Sequence, residues 1–113
     1  MKKNLSWDDF SKIDMRVGTI IRAQSFPEAN KPAYKLEIDF GHQLGLLKSS
    51  AQITDHYSLS DLIGKQIIAV INFPPKQIAN LMSECLVLGS VDKDQKVILL
   101  QPERDAENGD RVG

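Results

Sequence analysis

Cysteine and long apolar runs are what this 113-residue sequence has least of. Its single cysteine excludes an internal disulfide, which predicts a reducing, cytoplasmic location. No apolar run approaches the roughly 20 residues of a membrane-spanning helix, and the basic start Met1–Lys3 leads into polar residues instead of an apolar signal core. We therefore expect a cytoplasmic protein without membrane insertion. At this length, residues 1–113 are expected to form a single domain.

Residues that support catalysis or metal binding are also scarce. His42 and His56 are isolated in the sequence, whereas metal sites need clustered His, Cys or carboxylate ligands. The sequence has no glycine-rich phosphate loop and no nucleophile-elbow motif, and Ser49–Ser50 has no base beside it. Cys85 lies within an apolar run, so we expect it to pack in the core. These absences predict a protein that is not an enzyme and that holds no metal or cofactor.

The charge is low overall and uneven along the chain. The formal net charge of −1 argues against the basic surface of a strong nucleic-acid binder. Residues 1–35 nevertheless hold seven basic and four acidic side chains, and residues 92–113 hold four basic and six acidic ones. This asymmetry allows a local basic face, and a mixed, solvated surface is the alternative.

The N-terminal pattern predicts one short helix over residues 5–13. Ser6 is a good N-cap, and Trp7, Phe10 and Ile13 recur at a spacing of three, which makes an apolar stripe. A helix this short needs a docking surface to be stable. The stripe either covers one end of the core or meets a second subunit.

Short strands are predicted along the rest of the chain, and Gly18 within the first of them indicates a bulge or a sharp bend. The strands lie at 15–26, 34–40, 46–51, 66–72, 85–91 and 97–100. A helix of about one turn lies between Ser58 and Gly64, after the third strand. This order predicts an all-β fold with short helices: a five-stranded OB-fold (Greek-key) barrel with an N-terminal helix and a C-terminal extension. A split α+β sheet is the alternative.

The chain is organised around residues 64–89, in which two buried strands flank a polar segment. Pro74 and Pro75 end the first strand and restrict the loop. Asn80 is one of the few residue types that tolerate a left-handed backbone conformation. Loops fixed by a rigid scaffold often hold binding groups. The polar side chains of this loop are Asn72, Lys76, Ser83 and Glu84.

OB-type barrels bind single-stranded nucleic acid on the barrel face, with basic groups on phosphates and polar groups on bases. The candidates for phosphate binding are Lys31, Lys35 and Lys48. The candidates for hydrogen bonding are Ser49, Ser50, Asn72, Lys76, Ser83 and Glu84. On the residues alone, the simpler interpretation is that the lysines are solvated strand-edge charges and that the polar loop residues cap the loop.

Five segments, in order, resemble one known family. They are Asp14–Ile20, Lys35–Gly41, Ser49–Ile53, Val70–Pro75 and Ser83–Leu88. Together they resemble the tRNA-binding OB-fold domain, which is shared by the C-terminal extension of methionyl-tRNA synthetase, the endothelial monocyte-activating polypeptide and free-standing tRNA-binding proteins. The resemblance covers about Phe10 to Gly113, and the Ser-Ser-Ala-Gln-Ile and Asn-Phe-Pro-Pro segments are similar to those of the CsaA export-related chaperones.

This resemblance implies a non-catalytic homodimer that is joined through its terminal segments, with Trp7, Phe10 and Ile13 in the interface. It implies that tRNA or other structured RNA binds around Ser83 and Glu84 and the preceding loop. The CsaA branch implies other partners, namely unfolded or exported polypeptides and the secretion ATPase SecA. The expected function is therefore RNA binding with an export-related chaperone activity.

One departure from the family pattern lies in the loop. Many relatives have Lys-Met-Arg-Gly where this chain has Gln77–Asn80, and losing two cations should weaken phosphate binding. An apolar rim suited to extended segments is formed by Phe73, Pro74, Pro75, Ile78 and Leu81. With Pro75 and Ile78 as contacts, the alternative function is a secretion chaperone that binds extended polypeptides with little RNA affinity. A structural interaction module that binds neither ligand is a third possibility.

Overall fold

Short antiparallel strands dominate residues 3–113, the part of the chain that the computed structural model describes; Met1 and Lys2 of the predicted basic start lie outside it. The helices are α1 (Trp7–Ser11) and α2 (Leu59–Leu62). The strands are β1 (Met15–Ser25), β2 (Tyr34–Asp39), β3 (Leu46–Ala51), β4 (Gln66–Val70), β5 (Lys76–Ile78), β6 (Leu81–Ser83), β7 (Leu86–Val87), β8 (Gly89–Val91), β9 (Val97–Leu99) and β10 (Arg111–Val112).

The main sheet has the strand order β3-β2-β1-β4-β7, and β10 adds to β1. It curls into a nearly closed barrel, because β3 at one edge packs against the segment that joins β6 to β7. The core inside the curl is made of Ile20, Ile38, Phe40, Leu62 and Ile67, all fully buried. Helix α2 lies between β3 and β4 in the chain, as the OB-fold prediction required. The predicted fold class is confirmed.

Gly18 allows close packing and does not mark the bulge. A Cβ at Gly18 would lie 2.7 Å from Ile38 Cγ2 and 2.8 Å from the ring of Phe40. The pairing of β1 with β2 shifts three residues later, between Ile20 and Arg22. The sequence-based placement of the irregularity at Gly18 was therefore wrong, since this glycine is required by the side chains packed above it.

Helix α1 is held by one asparagine and buries none of its own residues. Asn72 Nδ2 donates to the carbonyl of Lys12 at 2.6 Å, and Asp14 N donates to Asn72 Oδ1 at 3.0 Å. Ser6 is the predicted N-cap, because its hydroxyl accepts from Asp9 N at 3.0 Å. Trp7 is 87% exposed. The apolar stripe of α1 therefore does not cover the core of its own barrel.

The predicted loop between the two central strands contains a hairpin, in which β5 pairs with β6. Its turn residues are Ala79 and Asn80, and the positive φ of 49° falls on Ala79. The left-handed residue is therefore Ala79, the neighbour of the more tolerant Asn80. The pairing of Ile78 with Leu81 fixes a two-residue turn. The geometry of that turn, and not the tolerance of the residue type, decides which turn residue takes a positive φ.

The C-terminal extension returns to the barrel after the β8–β9 hairpin. Gly109 N donates to the carbonyl of Val17 at 2.7 Å, and the hydroxyl of Thr19 donates to Asn108 Oδ1 at 2.7 Å. Gly109 has a φ of +94°, and a Cβ there would lie 2.6 Å from the carbonyl oxygen of Phe40. Across residues 3–113, no helix is both long and apolar enough to cross a membrane.

Replacing Gly18 with alanine should lower the free energy of unfolding by about 1–3 kcal/mol, because the added methyl group overpacks a site that is already filled. Chemical denaturation measures this loss. Gly113→Ala is the matched control, since a Cβ there meets only the Arg111 guanidinium at an ordinary 3.7 Å. Equal unfolding midpoints for the two variants would contradict the packing explanation.

Candidate functional site

The barrel is closed by two side chains that bind the backbone of β3. Glu84 N donates to the carbonyl of Lys48 at 2.8 Å, and Lys48 N donates back to Glu84 Oε1 at 3.0 Å. Ser50 N donates to the hydroxyl oxygen of Ser83 at 3.3 Å. Ser83 and Glu84 thus provide the acceptors that a neighbouring strand would otherwise offer to this sheet edge.

Ser49 faces the opposite way from the other candidate residues. It is 1% exposed, and its hydroxyl donates to the carbonyl of Cys85 at 2.9 Å. Its predicted role as a surface hydrogen-bonding group does not agree with this burial, because strand alternation turns Ser49 into the core and Ser50 outward. Cys85 is buried beside it, as predicted, and desolvation raises the pKa of its thiol to about 12.

A groove of about 540 Å³ lies on the outer side of β3. Four predicted residues meet there, although they come from three separate segments: Lys31 from the β1–β2 loop, Ser50 from β3, and Lys76 and Ile78 from β5. The other residues that line the groove are Glu28, Ala29, Asn30, Ala33, Gln52, Gln77 and Ala79.

A second depression of about 380 Å³ adjoins this groove and shares Ser50, Gln52, Lys76 and Ile78 with it. Its remaining lining residues are Phe73, Pro74, Ser83, Glu84, Cys85 and Leu86. The Ser-Glu pair that closes the barrel therefore also contributes to an open surface, where polar and apolar groups lie side by side.

Lys35 and Lys48 lie on the other side of the hairpin, in a third hollow of about 270 Å³. They are joined there by Arg22, which the sequence analysis missed. The pairing register places Arg22 opposite Glu37, and Glu37 opposite Lys48, so one row across three strands carries two cations around one carboxylate. The bulge after Ile20 re-aims Arg22 to this row, and strand alternation alone does not predict that.

Besides Ser49, two predicted binding residues lie apart from these concavities. Asn72 is exposed, but both polar atoms of its side chain are bonded to the backbone that follows α1. Pro75 is exposed at the start of the hairpin, and its neighbour Pro74 is the proline that lines the second depression. Asn72 therefore positions the N-terminal segment, while Pro75 restricts the entry to the hairpin.

Among the lining residues that were not predicted as site residues, Gln52 and Phe73 show what the sequence could and could not have indicated. Gln52 follows Ser50 by two positions, so the alternation of β3 would have pointed to it. Phe73 appeared in the sequence only as part of an apolar rim, and its position beside Ser83 and Glu84 depends on the hairpin. Within residues 3–113, no group of three His, Cys, Asp or Glu residues is placed to hold a metal ion.

Residues 15–111 match the model of the putative tRNA-binding domain family. The chain belongs to this family. The resemblance inferred from the five sequence segments is thereby confirmed. The tRNA-binding domain covers β1 and the strands that follow, and it includes the groove, the hairpin and the closing Ser-Glu pair.

Two solved structures are similar over nearly the whole of this tRNA-binding domain protein. The chaperone CsaA from Bacillus anthracis str. Ames is 50% identical, with a TM-score of 0.93, over 98% of this chain and 100% of that chain. The CsaA chaperone protein from Picrophilus torridus is 55% identical, with a TM-score of 0.91, over 97% of this chain and 100% of that chain.

The methionine–tRNA ligase of Bacteroides fragilis is a curated relative that is 31% identical over 112 residues. Those residues are 99% of this chain and 16% of the ligase. The chain therefore spans about 16% of the length of the first curated relatives it matches.

Removing the closing acceptors should destabilise the fold. Ser83→Ala should lower the free energy of unfolding by about 1 kcal/mol and Glu84→Ala by about 2 kcal/mol, because each leaves a β3 amide without its partner. Urea denaturation measures both losses. Ser90→Ala, at an exposed serine of β8, is the control and should change little. Stability losses no larger than the control's would mean that the Ser83 and Glu84 contacts do not close the barrel.

The Cys85 thiol should make the protein less stable in alkali. The unfolded chain loses this proton above the ordinary pKa of 9.0, whereas the folded chain keeps it up to about 12. The free energy of unfolding should therefore fall with rising pH across this interval, by up to about 1.4 kcal/mol per pH unit. Denaturation at pH 8 and pH 10, for the wild type and for Cys85→Ala, isolates the thiol. A parallel fall in both proteins would contradict this assignment.

Proposed function

We propose that this tRNA-binding domain protein binds RNA without catalysis, in the groove between the β1–β2 loop and the hairpin. The observation that carries the proposal is the meeting of Lys31, Lys76 and Ser50 in one groove of about 540 Å³. Two cations from different segments suit a charged backbone, and a hydroxyl group suits a base or a ribose.

The charges of the candidate lysines are not neutralised by ion pairs. Within residues 3–113, the salt bridges join Lys12 to Asp9, Arg16 to Asp14 and Arg104 to Glu103, and none includes a lysine of the groove or of the third hollow. Lys31, Lys35, Lys48 and Lys76 are therefore available to an external anion, with Glu28 in the groove and Glu37 opposite Lys48 among the nearby carboxylates. Four such cations would give a salt slope of up to roughly 3 for a single strand.

A chaperone activity in the cytoplasm is the second candidate. It is supported by the apolar part of the second depression, where Phe73, Pro74 and Leu86 are exposed, and by the similarity to proteins described as CsaA chaperones. Extended polypeptides, with the secretion ATPase SecA as a partner, would be its ligands.

Exposure of Trp7 and Ile13 on the N-terminal segment supports a homodimer through that segment, since solvent otherwise surrounds these side chains.

Binding of bulk tRNA, measured by fluorescence anisotropy at two salt concentrations, tests the first candidate. Lys31→Ala and Lys76→Ala should each weaken binding several-fold and reduce the salt slope by roughly 0.7–0.9. Lys93→Ala is the matched control. Lys93 lies in the β8–β9 turn, outside the groove, the second depression and the third hollow, so its replacement should have a smaller effect.

An unfolded polypeptide serves as the parallel ligand. Polypeptide binding without any tRNA binding at low salt would refute RNA as the ligand and favour the chaperone candidate. An effect of Lys93→Ala equal to that of the groove lysines would mean that tRNA binds by general surface charge and not in the groove.

A further inference from the structure

Phe73 is the exposed phenylalanine of the described chain. The residue is 56% exposed, whereas Phe26 and Phe40 are buried and Phe10 is half-buried. Both neighbours of Phe73 restrict its backbone. On one side, the Asn72 side chain is hydrogen-bonded to the backbone of Lys12 and Asp14, and on the other side the ring of Pro74 limits φ. An aromatic ring that a rigid backbone holds toward solvent has the geometry of a stacking platform.

Glu84 presents a fixed carboxylate in the same depression. Its Oε1 accepts from Lys48 N at 3.0 Å, and within residues 3–113 no hydrogen bond to its other oxygen, Oε2, is formed. A carboxylate accepts hydrogen bonds from the amino group of a base and repels a phosphate. The lysine that lines the depression is Lys76, which also lines the main groove and whose ammonium group suits a phosphate.

The three side chains suit three different parts of a nucleotide: Phe73 the face of the base, Glu84 an amino group of the base, and Lys76 the phosphate. We infer that the depression of Phe73, Glu84 and Lys76 is a subsite for one unpaired nucleobase that carries an exocyclic amino group, stacked on Phe73 with that amino group on Glu84. The inference rests on the proposed function, RNA binding, and specifies which part of the RNA enters this depression. Cytosine and adenine offer the amino donor, whereas uracil offers a carbonyl oxygen at the same place.

The rival occupant is an apolar side chain of a bound polypeptide. A carboxylate and an ammonium group beside the ring disfavour it, because an apolar side chain would desolvate both charges without pairing either. A nucleotide pairs both, through its amino group and its phosphate. For this reason the observations favour the base.

The test uses labelled oligo(C) and oligo(U) of equal length, with fluorescence anisotropy as the readout. The wild type should bind oligo(C) several-fold more tightly than oligo(U). Phe73→Leu should weaken oligo(C) binding about tenfold, as expected for one lost stacking contact, and should leave the salt slope unchanged. Phe73→Trp, which keeps a stacking surface, is the matched control and should retain the affinity.

Glu84→Gln tests the base preference separately. The amide oxygen still accepts from Lys48 N, so the barrel stays closed, while the amide nitrogen now donates to the depression. The preference should therefore disappear or shift toward oligo(U). Equal thermal unfolding of Phe73→Leu and Phe73→Trp, and near-native unfolding of Glu84→Gln, verifies that the fold is retained.

The outcomes separate this inference from the proposed function. Absence of any tRNA or oligonucleotide binding would refute RNA binding itself. Salt-dependent tRNA binding that Lys31→Ala weakens, together with unchanged oligo(C) binding by Phe73→Leu or an unchanged base preference in Glu84→Gln, would refute the subsite alone. Loss of polypeptide binding in Phe73→Leu, with oligonucleotide binding intact, would assign the depression to a peptide and overturn the inference.

Discussion

The free edge of β3 sets the constraint on which the rest of the structure depends. A sheet that curls into a barrel must satisfy the amides of its last strand, and β7, at the edge opposite β3, is only two residues long and pairs with β4. Ser83 and Glu84 supply acceptors for the amides of Ser50 and Lys48. Their positions follow from the hairpin that precedes them, so the hairpin is attached to the barrel by the same contacts that close it.

Because the hairpin is attached in this way, the contacts that close the barrel also form the candidate site. The groove lies between the hairpin and the β1–β2 loop, so it exists only while Ser83 and Glu84 hold the hairpin against β3. Ser50 belongs to both arrangements, because its amide is bonded to Ser83 while it also lines the groove. A substitution at the Ser-Glu pair will therefore affect stability and binding together, and separating the two effects requires replacements that keep the acceptor.

The sequence predicted the order of strands β1 to β4 and of helix α2, because that order depends on local signals: apolar periodicity, caps and prolines. The family was inferred from the resemblance of five segments, and the hairpin of β5 and β6 was not predicted. The sequence associated a bulge with Gly18, whereas the shift lies between Ile20 and Arg22, and it did not single out Ala79 as the left-handed residue of the turn. The bulge re-aims Arg22, and the turn is set by strand pairing, so each depends on a neighbouring strand that local patterns do not specify. The sequence likewise did not predict that Lys31, Lys76 and Ser50 line one groove, because residues distant in the sequence meet only in the closed barrel.

Cations lie on both sides of the hairpin tip, so the tip itself can be neutral without leaving the surface around it uncharged. Lys31 and Lys76 line the groove on one side of the hairpin, and Lys35, Lys48 and Arg22 line the hollow on the other side. The tip between them, Gln77–Asn80, has no charge. A phosphate backbone that contacts both groups has to pass this tip, and the five cations around it keep the attraction local in a chain with a net charge of −1. Local attraction of this kind permits RNA binding with moderate salt dependence, and it leaves the apolar groups beside the groove accessible to a second class of ligand.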